Sequence, residues 1–139
     1  MRLVLDTNVW LDWLVFADPA LAPVREAVAV KRAEIVIDDA CAAELQRVLG
    51  YRFSAKWNFD RDKALAICFS ISQKISSSNE IKLPRCQDPD DQKFLVLAAA
   101  AGADCLVTKD RELLRLAKRV PFRIQRPEAL QLGPGAREA

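Results

Sequence analysis

Three carboxylates stand where an apolar run ends or a helix begins, and a fourth lies inside a helix. Asp6 closes Leu3-Val4-Leu5, Glu44 lies two turns into the helix expected after Ile35-Val36-Ile37, Asp91 falls in the turn opened by Pro89, and Asp110 follows Cys105-Leu106-Val107-Thr108. The chain has 139 residues and no histidine. That absence removes Ser-His-Asp and Cys-His nucleophilic catalysis, histidine proton shuttling and most zinc sites. Acid, base or metal chemistry must then rest on carboxylates, and an all-oxygen donor set suits Mg²⁺ or Mn²⁺.

Each acid also has a plainer role. An acid after a first strand, followed at once by Thr7-Asn8, either caps the next helix or presents oxygens to a metal, and separate oxygens can do both. Asp110 has the same double reading. In Asp88-Pro89-Asp90-Asp91 the first acid is the natural N-cap, with proline at the first helical position and negative charge in the first turn. Asp91 lies three, four and seven residues before Phe94, Leu95 and Ala98, on the core-facing stripe, and reads as a ligand or as an extension of the cap. Asp90 points in a more peripheral direction, toward Lys93 and Leu97. On the helix pattern alone, Glu44 is a surface acid beside Arg47.

Positioning these groups requires strands and helices in alternation. The pattern predicts a strand at Arg2–Leu5, a helix over 9–16 capped by Thr7 or Asn8, and a helix over 19–31 with Asp18 as cap and Pro19 at its first position. A second strand is expected at Glu34–Ile37, then a helix from Asp38 to Leu49 ended by Gly50. Asp60 caps a long helix reaching Ser76, with Leu65, Ile67 and Phe69 in its apolar stripe, and a serine run breaks it. A helix after Pro89 ends at Gly102, a third strand covers 105–108, a helix runs from Asp110 to Arg119, and 121–124 forms a short fourth strand. Such an order implies a three-layer α/β fold with a mainly parallel central sheet, in which loops gather beyond the carboxyl ends of the strands. Asp6, Asp91 and Asp110 belong to that end, and Glu44 can reach it from its helix.

Composition agrees with one folded domain. The chain is 51% hydrophobic and 29% charged with only four glycines, which excludes a disordered or low-complexity protein. Residues 1–130 are expected to form the domain and 131–139, with Gly133-Pro134-Gly135, a flexible C-terminal tail. No apolar run approaches the roughly 20 residues of a membrane span, and Asp6 interrupts any signal-peptide core, so a cytoplasmic protein is expected. Cys41, Cys68, Cys86 and Cys105 lack a C-x-x-C pair and read as reduced thiols, mostly in the core. Trp10 and Trp13 read as packing residues, with an exposed partner-binding groove as the alternative.

The net charge of +2 conceals an asymmetry: 1–44 carries eight acids and four bases, 109–139 four acids and eight bases. An acidic part beside a basic one suits a metal-dependent enzyme acting on a polyanion, or simply a solvated surface. Lys109, Arg111 and Arg119 are the leading phosphate contacts, with Arg123 and Arg126 beside them; Arg115 and Lys118 read as solvated helix charges.

Taken in order, Leu3-Val4-Leu5-Asp6-Thr7-Asn8, Ala43-Glu44-Leu45, Asp88-Pro89-Asp90-Asp91-Gln92-Lys93-Phe94-Leu95 and Ala103-Asp104-Cys105-Leu106-Val107-Thr108-Lys109-Asp110 resemble a PIN domain. The likeness spans roughly 1–128 and is narrower still to the branch related to the VapC toxins of bacterial toxin–antitoxin pairs. It implies an α/β/α fold and a metal-dependent ribonuclease, with Asp6, Glu44, Asp91 and Asp110 as the catalytic acids and ligands of Mg²⁺ or Mn²⁺. Asn8 and Thr108 match its supporting polar positions. An RNA substrate, an antitoxin protein and a homodimer or larger assembly are the partners it implies. The stretch 52–85 is least like the family. Two other readings stand beside it: a non-catalytic module of the same fold that binds nucleic acid or protein, and a phosphotransfer domain with Asp6 as nucleophile, which lacks the second Asp because position 8 is Asn.

Overall fold

A computed structural model describes residues 1–53, 60–76 and 82–130. Strands β1 (Arg2–Leu5), β2 (Glu34–Ile37), β3 (Ser72–Lys74), β4 (Cys105–Val107) and β5 (Arg123–Gln125) form one sheet in the order β3-β2-β1-β4-β5. Every pairing is parallel, in registers such as Leu3 with Ile35 and Leu3 with Cys105. Helices α1 (Thr7–Leu14), α2 (Ala22–Ala29), α3 (Asp39–Phe53), α4 (Arg61–Ile71), α5 (Gln92–Ala101) and α6 (Arg111–Leu114) accompany it, with 3-10 turns at Pro19–Leu21, Pro89–Asp91, Ala117–Arg119 and Pro127–Ala129.

The three-layer α/β expectation therefore holds. Leu3-Val4-Leu5, Ile35-Val36-Ile37 and Cys105-Leu106-Val107 are buried at every position. Side chains alternate between the two faces of a strand, so unbroken burial means that both faces are covered. Trp10 is buried, and Trp13 packs partly against the core, its ring centroid 6.2 Å from that of Trp10 and under the Arg25 guanidinium at 5.8 Å. Cys41, Cys68 and Cys105 are buried and Cys86 is half-buried, all as free thiols. Among the described residues no helix is long and apolar enough to cross a membrane.

Several boundaries differ from the sequence expectation. The first helix starts at Thr7 rather than Val9, because Asp6 itself is the cap. The segment after Asp18 is a 3-10 turn followed by α2, which ends at Ala29; Lys31 has left the helix with φ 61°. Gly50 does not end α3, which continues to Phe53. A glycine terminates a helix only when the chain turns left-handed there, and Gly102 is the one that does, at φ 60° and ψ 40° after α5. A Cβ built on Gly102 meets nothing within 4 Å. Gly102→Ala is therefore expected to cost about 1 kcal/mol, purely from the backbone, as read by urea denaturation.

The helix from Asp60 stops at Ile71, and 72–74 is a fifth strand that sequence reasoning missed. Its Ser-Gln-Lys composition is that of a sheet edge, where polar side chains blunt further pairing. The buried stripe of α4 is Ala64, Leu65 and Cys68, whereas Ile67 and Phe69 are exposed. The expected helix from Asp110 to Arg119 divides into α6 and a 3-10 turn, and the last strand is shifted to Arg123–Gln125, past Pro121, which has no N–H to give a ladder. The expected break at Ser77-Ser78-Asn79 and the tail 131–139 lie outside the described residues.

Candidate functional site

The chain runs β1-β2-β3 to one side of the sheet and then returns to lay β4 and β5 on the other. The direction of strand order reverses between β1 and β4, and loops leaving two such strands diverge to open a crevice. Asp6 and Thr108 are the first residues beyond those two strands. The Asp6 N–H still donates to the Val107 carbonyl at 3.2 Å, so the acid is fixed by the end of the ladder itself.

Asp6 is 4% exposed and divides its oxygens between two tasks. Oδ1 accepts from the Val9 N–H at 2.9 Å and caps α1; Oδ2 accepts from the Thr108 hydroxyl. Thr108, with no exposed surface, also accepts the Asp110 N–H at its Oγ1 at 3.0 Å and anchors its own N–H on the Gln125 carbonyl at 3.0 Å. Asp110 caps α6, its Oδ1 accepting from the Glu112 N–H at 2.9 Å. Asp91 ends the 3-10 turn that Asp88 caps, and its carboxyl is hydrogen-bonded to that of Asp110. Asp91, Asp110, Thr108 and Asp6 are thus one connected polar chain built from three separate parts of the sequence.

The electrostatics are those of crowded acids. Burial pushes the Asp6 carboxyl up to about 6, opposed by its two hydrogen bonds and reinforced by the charges of Asp110 and Asp12. Asp91 is raised first by burial, then by its hydrogen bond with Asp110, and further by the charges of Asp110, Asp88 and Asp6. Two carboxyls can hydrogen-bond only if one keeps its proton. Asp6, Asp91 and Asp110 make no ion pair among the described residues. Cys86 lies over the same cluster, where burial and then the charges of Asp91, Asp110 and Asp88 push its thiol up to about 11. Gln92 holds that segment by accepting the Cys86 N–H at 2.8 Å and donating to the Pro84 carbonyl at 3.1 Å.

Glu44 is differently placed. Its side chain is 13% exposed; Oε1 is 2.6 Å from the Lys93 ammonium and Oε2 accepts from the Thr7 hydroxyl. Arg47, the partner suggested by helix spacing, stands at 4.0 Å. Among the described residues no three Asp, Glu or Cys side chains lie close enough together to hold one ion. The donor chemistry suits a hard cation, four carboxylates of which three make no ion pair among the described residues. For these acids to close on one ion, the Asp91–Asp110 hydrogen bond has to open and Glu44 has to leave Lys93.

Asn8 is exposed and, with Leu11, Asp12, Phe16, Lys109 and Asp110, lines a cleft of about 350 Å³ beside the cluster. Lys109 does not extend into solvent as a phosphate contact would: its ammonium sits 2.8 Å from Asp12 and 2.6 Å from Asp18, tying the loop after β4 to α1 and the turn that follows. Arg111 and Arg119 are exposed, and no ion pair is formed by either among the described residues. Asp12, Gln92 and Lys93 were not singled out as site residues from sequence, and Thr7 was read only as a helix cap. Of these, Gln92 and Lys93 carried a signal, as polar residues in the first turn of a helix that starts at a candidate ligand.

A family model described as PIN domain matches residues 2–112. Among solved structures, the VapBC2 complex of Rickettsia felis bound to a DNA fragment from its promoter contains a chain of similar fold, with a TM-score of 0.61 and 21% identity over 90% of this chain and 97% of that one. PAE2754 of Pyrobaculum aerophilum is similar at a TM-score of 0.57 and 16% identity, over 90% of this chain and 83% of its own. No curated protein sequence matches significantly.

Proposed function

This chain belongs to the PIN domain family, and from that premise we propose that it is a metal-dependent ribonuclease, the toxin of a toxin–antitoxin pair. The observation that carries the reading is the connected set of Asp91, Asp110, Thr108 and Asp6 at the reversal of strand order, where carboxylates from three parts of the sequence are crowded together. Evolutionary likeness supports the class, and the crowded carboxylates support the chemistry.

Asp6, Asp91 and Asp110, joined by Glu44, would hold Mg²⁺ or Mn²⁺. When bound, a divalent cation supplies Lewis acidity toward a phosphodiester and toward water, without any histidine. The protein's own part is positional. Thr108 holds the free oxygen of Asp6 and the backbone of Asp110 together, and the caps on α1 and α6 fix the remaining oxygens. Asn8 offers an exposed amide at the edge of the cleft, while Arg111 and Arg119 supply charge for RNA phosphates, which aligns a strand without reading its sequence. Lys109 contributes less to RNA contact than its charge suggests, because Asp12 and Asp18 already neutralise it.

An antitoxin partner is supported by the likeness to a chain of the Rickettsia felis complex, and assembly into a dimer or larger oligomer belongs to the same reading. The engagement of Glu44 by Lys93 favours one alternative, a non-catalytic module of the same fold that binds nucleic acid or protein. A panel of structured and single-stranded RNAs incubated with Mn²⁺, Mg²⁺ or EDTA separates the two. Cleavage with either metal and none with EDTA is expected; RNA binding without cleavage under all three conditions selects the binding module.

A further inference from the structure

We propose that Lys93 is a built-in counter-cation of Glu44, which competes with a divalent ion for that carboxylate and so sets how tightly the protein loads metal. The inference rests on the reading of Glu44 as a member of the metal-holding set. Its structural basis is the position of Glu44 between two segments that carry other members. Thr7, on one oxygen, adjoins Asp6; Lys93, on the other, is two residues beyond Asp91.

Both Glu44 oxygens are therefore committed. Lys93 Nζ lies 2.6 Å from Oε1 with both side chains mostly shielded, 22% and 13% exposed, and its ammonium is 5.9 Å from the Phe94 ring centroid. Charge-assisted hydrogen bonds of this kind are about twice as strong as neutral ones, and shielding from water preserves their strength. Glu44 can turn to a divalent cation only by giving up that bond, while Asp6, Asp91 and Asp110 make no ion pair to give up among the described residues. Lys93 thus imposes a cost on one ligand selectively, and the cost falls on metal affinity.

Lys93 is a positioning residue in this scheme, and Mn²⁺ binding measured by titration calorimetry tests it. Lys93→Met is expected to tighten Mn²⁺ binding about tenfold, within the usual range of coupling between two groups. In a Glu44→Gln background the same substitution is expected to change affinity by less than about twofold, since its target is gone. Lys93→Gln, which keeps a hydrogen-bond donor without the charge, guards against loss of folding in the methionine variant and should also tighten binding. An equal gain in both backgrounds would mean that the lysine acts only through the general field and would overturn the proposal. Weaker binding in folded Lys93→Met would overturn it too. Absence of Mn²⁺ binding in every variant and in the parent would instead remove the metal-site reading, and this inference with it.

Discussion

Asp91→Asn is expected to reduce metal-dependent RNA cleavage by on the order of 100-fold or more while making the metal-free protein more stable. The opposite signs have one cause. Asp91 is raised by burial, by its hydrogen bond with Asp110 and by neighbouring carboxylates, so the folded state holds charge there at a cost that a bound cation would relieve. Sign follows directly: a carboxyl raised above its ordinary value near 3.8 contributes stability when protonated and loses it as pH rises through the folded value. An asparagine amide removes that loss at neutral pH and can still donate a hydrogen bond to Asp110. A gain of about 3 °C in melting temperature in EDTA at pH 7.5 is the expected size for a half-exposed group, where solvent discounts the effect. Addition of Mn²⁺ should then stabilise the parent more than the variant. A variant that cleaves as the parent does would remove Asp91 from the chemistry, and a lower melting temperature in EDTA would show that its role is structural.

Thr108→Val is expected to destabilise the protein by about 2–4 kcal/mol, with Thr108→Ser within about 1 kcal/mol of the parent. Valine matches the shape but not the chemistry. The hydroxyl at this fully buried position satisfies two groups at once, donating to Asp6 and accepting from the Asp110 N–H. Its removal leaves an acceptor and a donor without partners, and also pushes Asp6 further up, because the lost bond is one that favours its charged form. Urea denaturation should show a lower midpoint with an unchanged slope. A valine variant as stable as the serine one would mean that water replaces the hydroxyl.

How much of this site could be read from sequence differed residue by residue. Asp6 was legible because an acid directly after Leu3-Val4-Leu5 must leave the sheet where the strand ends, and its dual use of two oxygens follows from the helix that starts beside it. Asp88 as cap and Asp90 as a peripheral acid were legible from proline at the following position and from helical spacing. Glu44 was not. Spacing along α3 pointed to Arg47, yet the near cation belongs to Lys93, 49 residues away, which reaches Glu44 because α5 packs beside α3. Lys109 looked like a phosphate contact because it opens the basic stretch 109–139, and Asp18 meets it only across 91 residues. Strand β3 was hidden by its own composition, for Ser-Gln-Lys has no apolar face and is a strand only because β2 offers it hydrogen bonds.

The sequence by itself determined the class of fold and the three buried central strands, because these follow from local periodicity and from unbroken apolar runs. Tertiary structure alone decided which acids crowd together, which one is held by a lysine and which basic residue is already neutralised. Those outcomes depend on distances between segments far apart in the chain, and they are set where the strand order reverses between β1 and β4. Local sequence carries the pairing preferences of a side chain; only the closed sheet determines which partner is within reach.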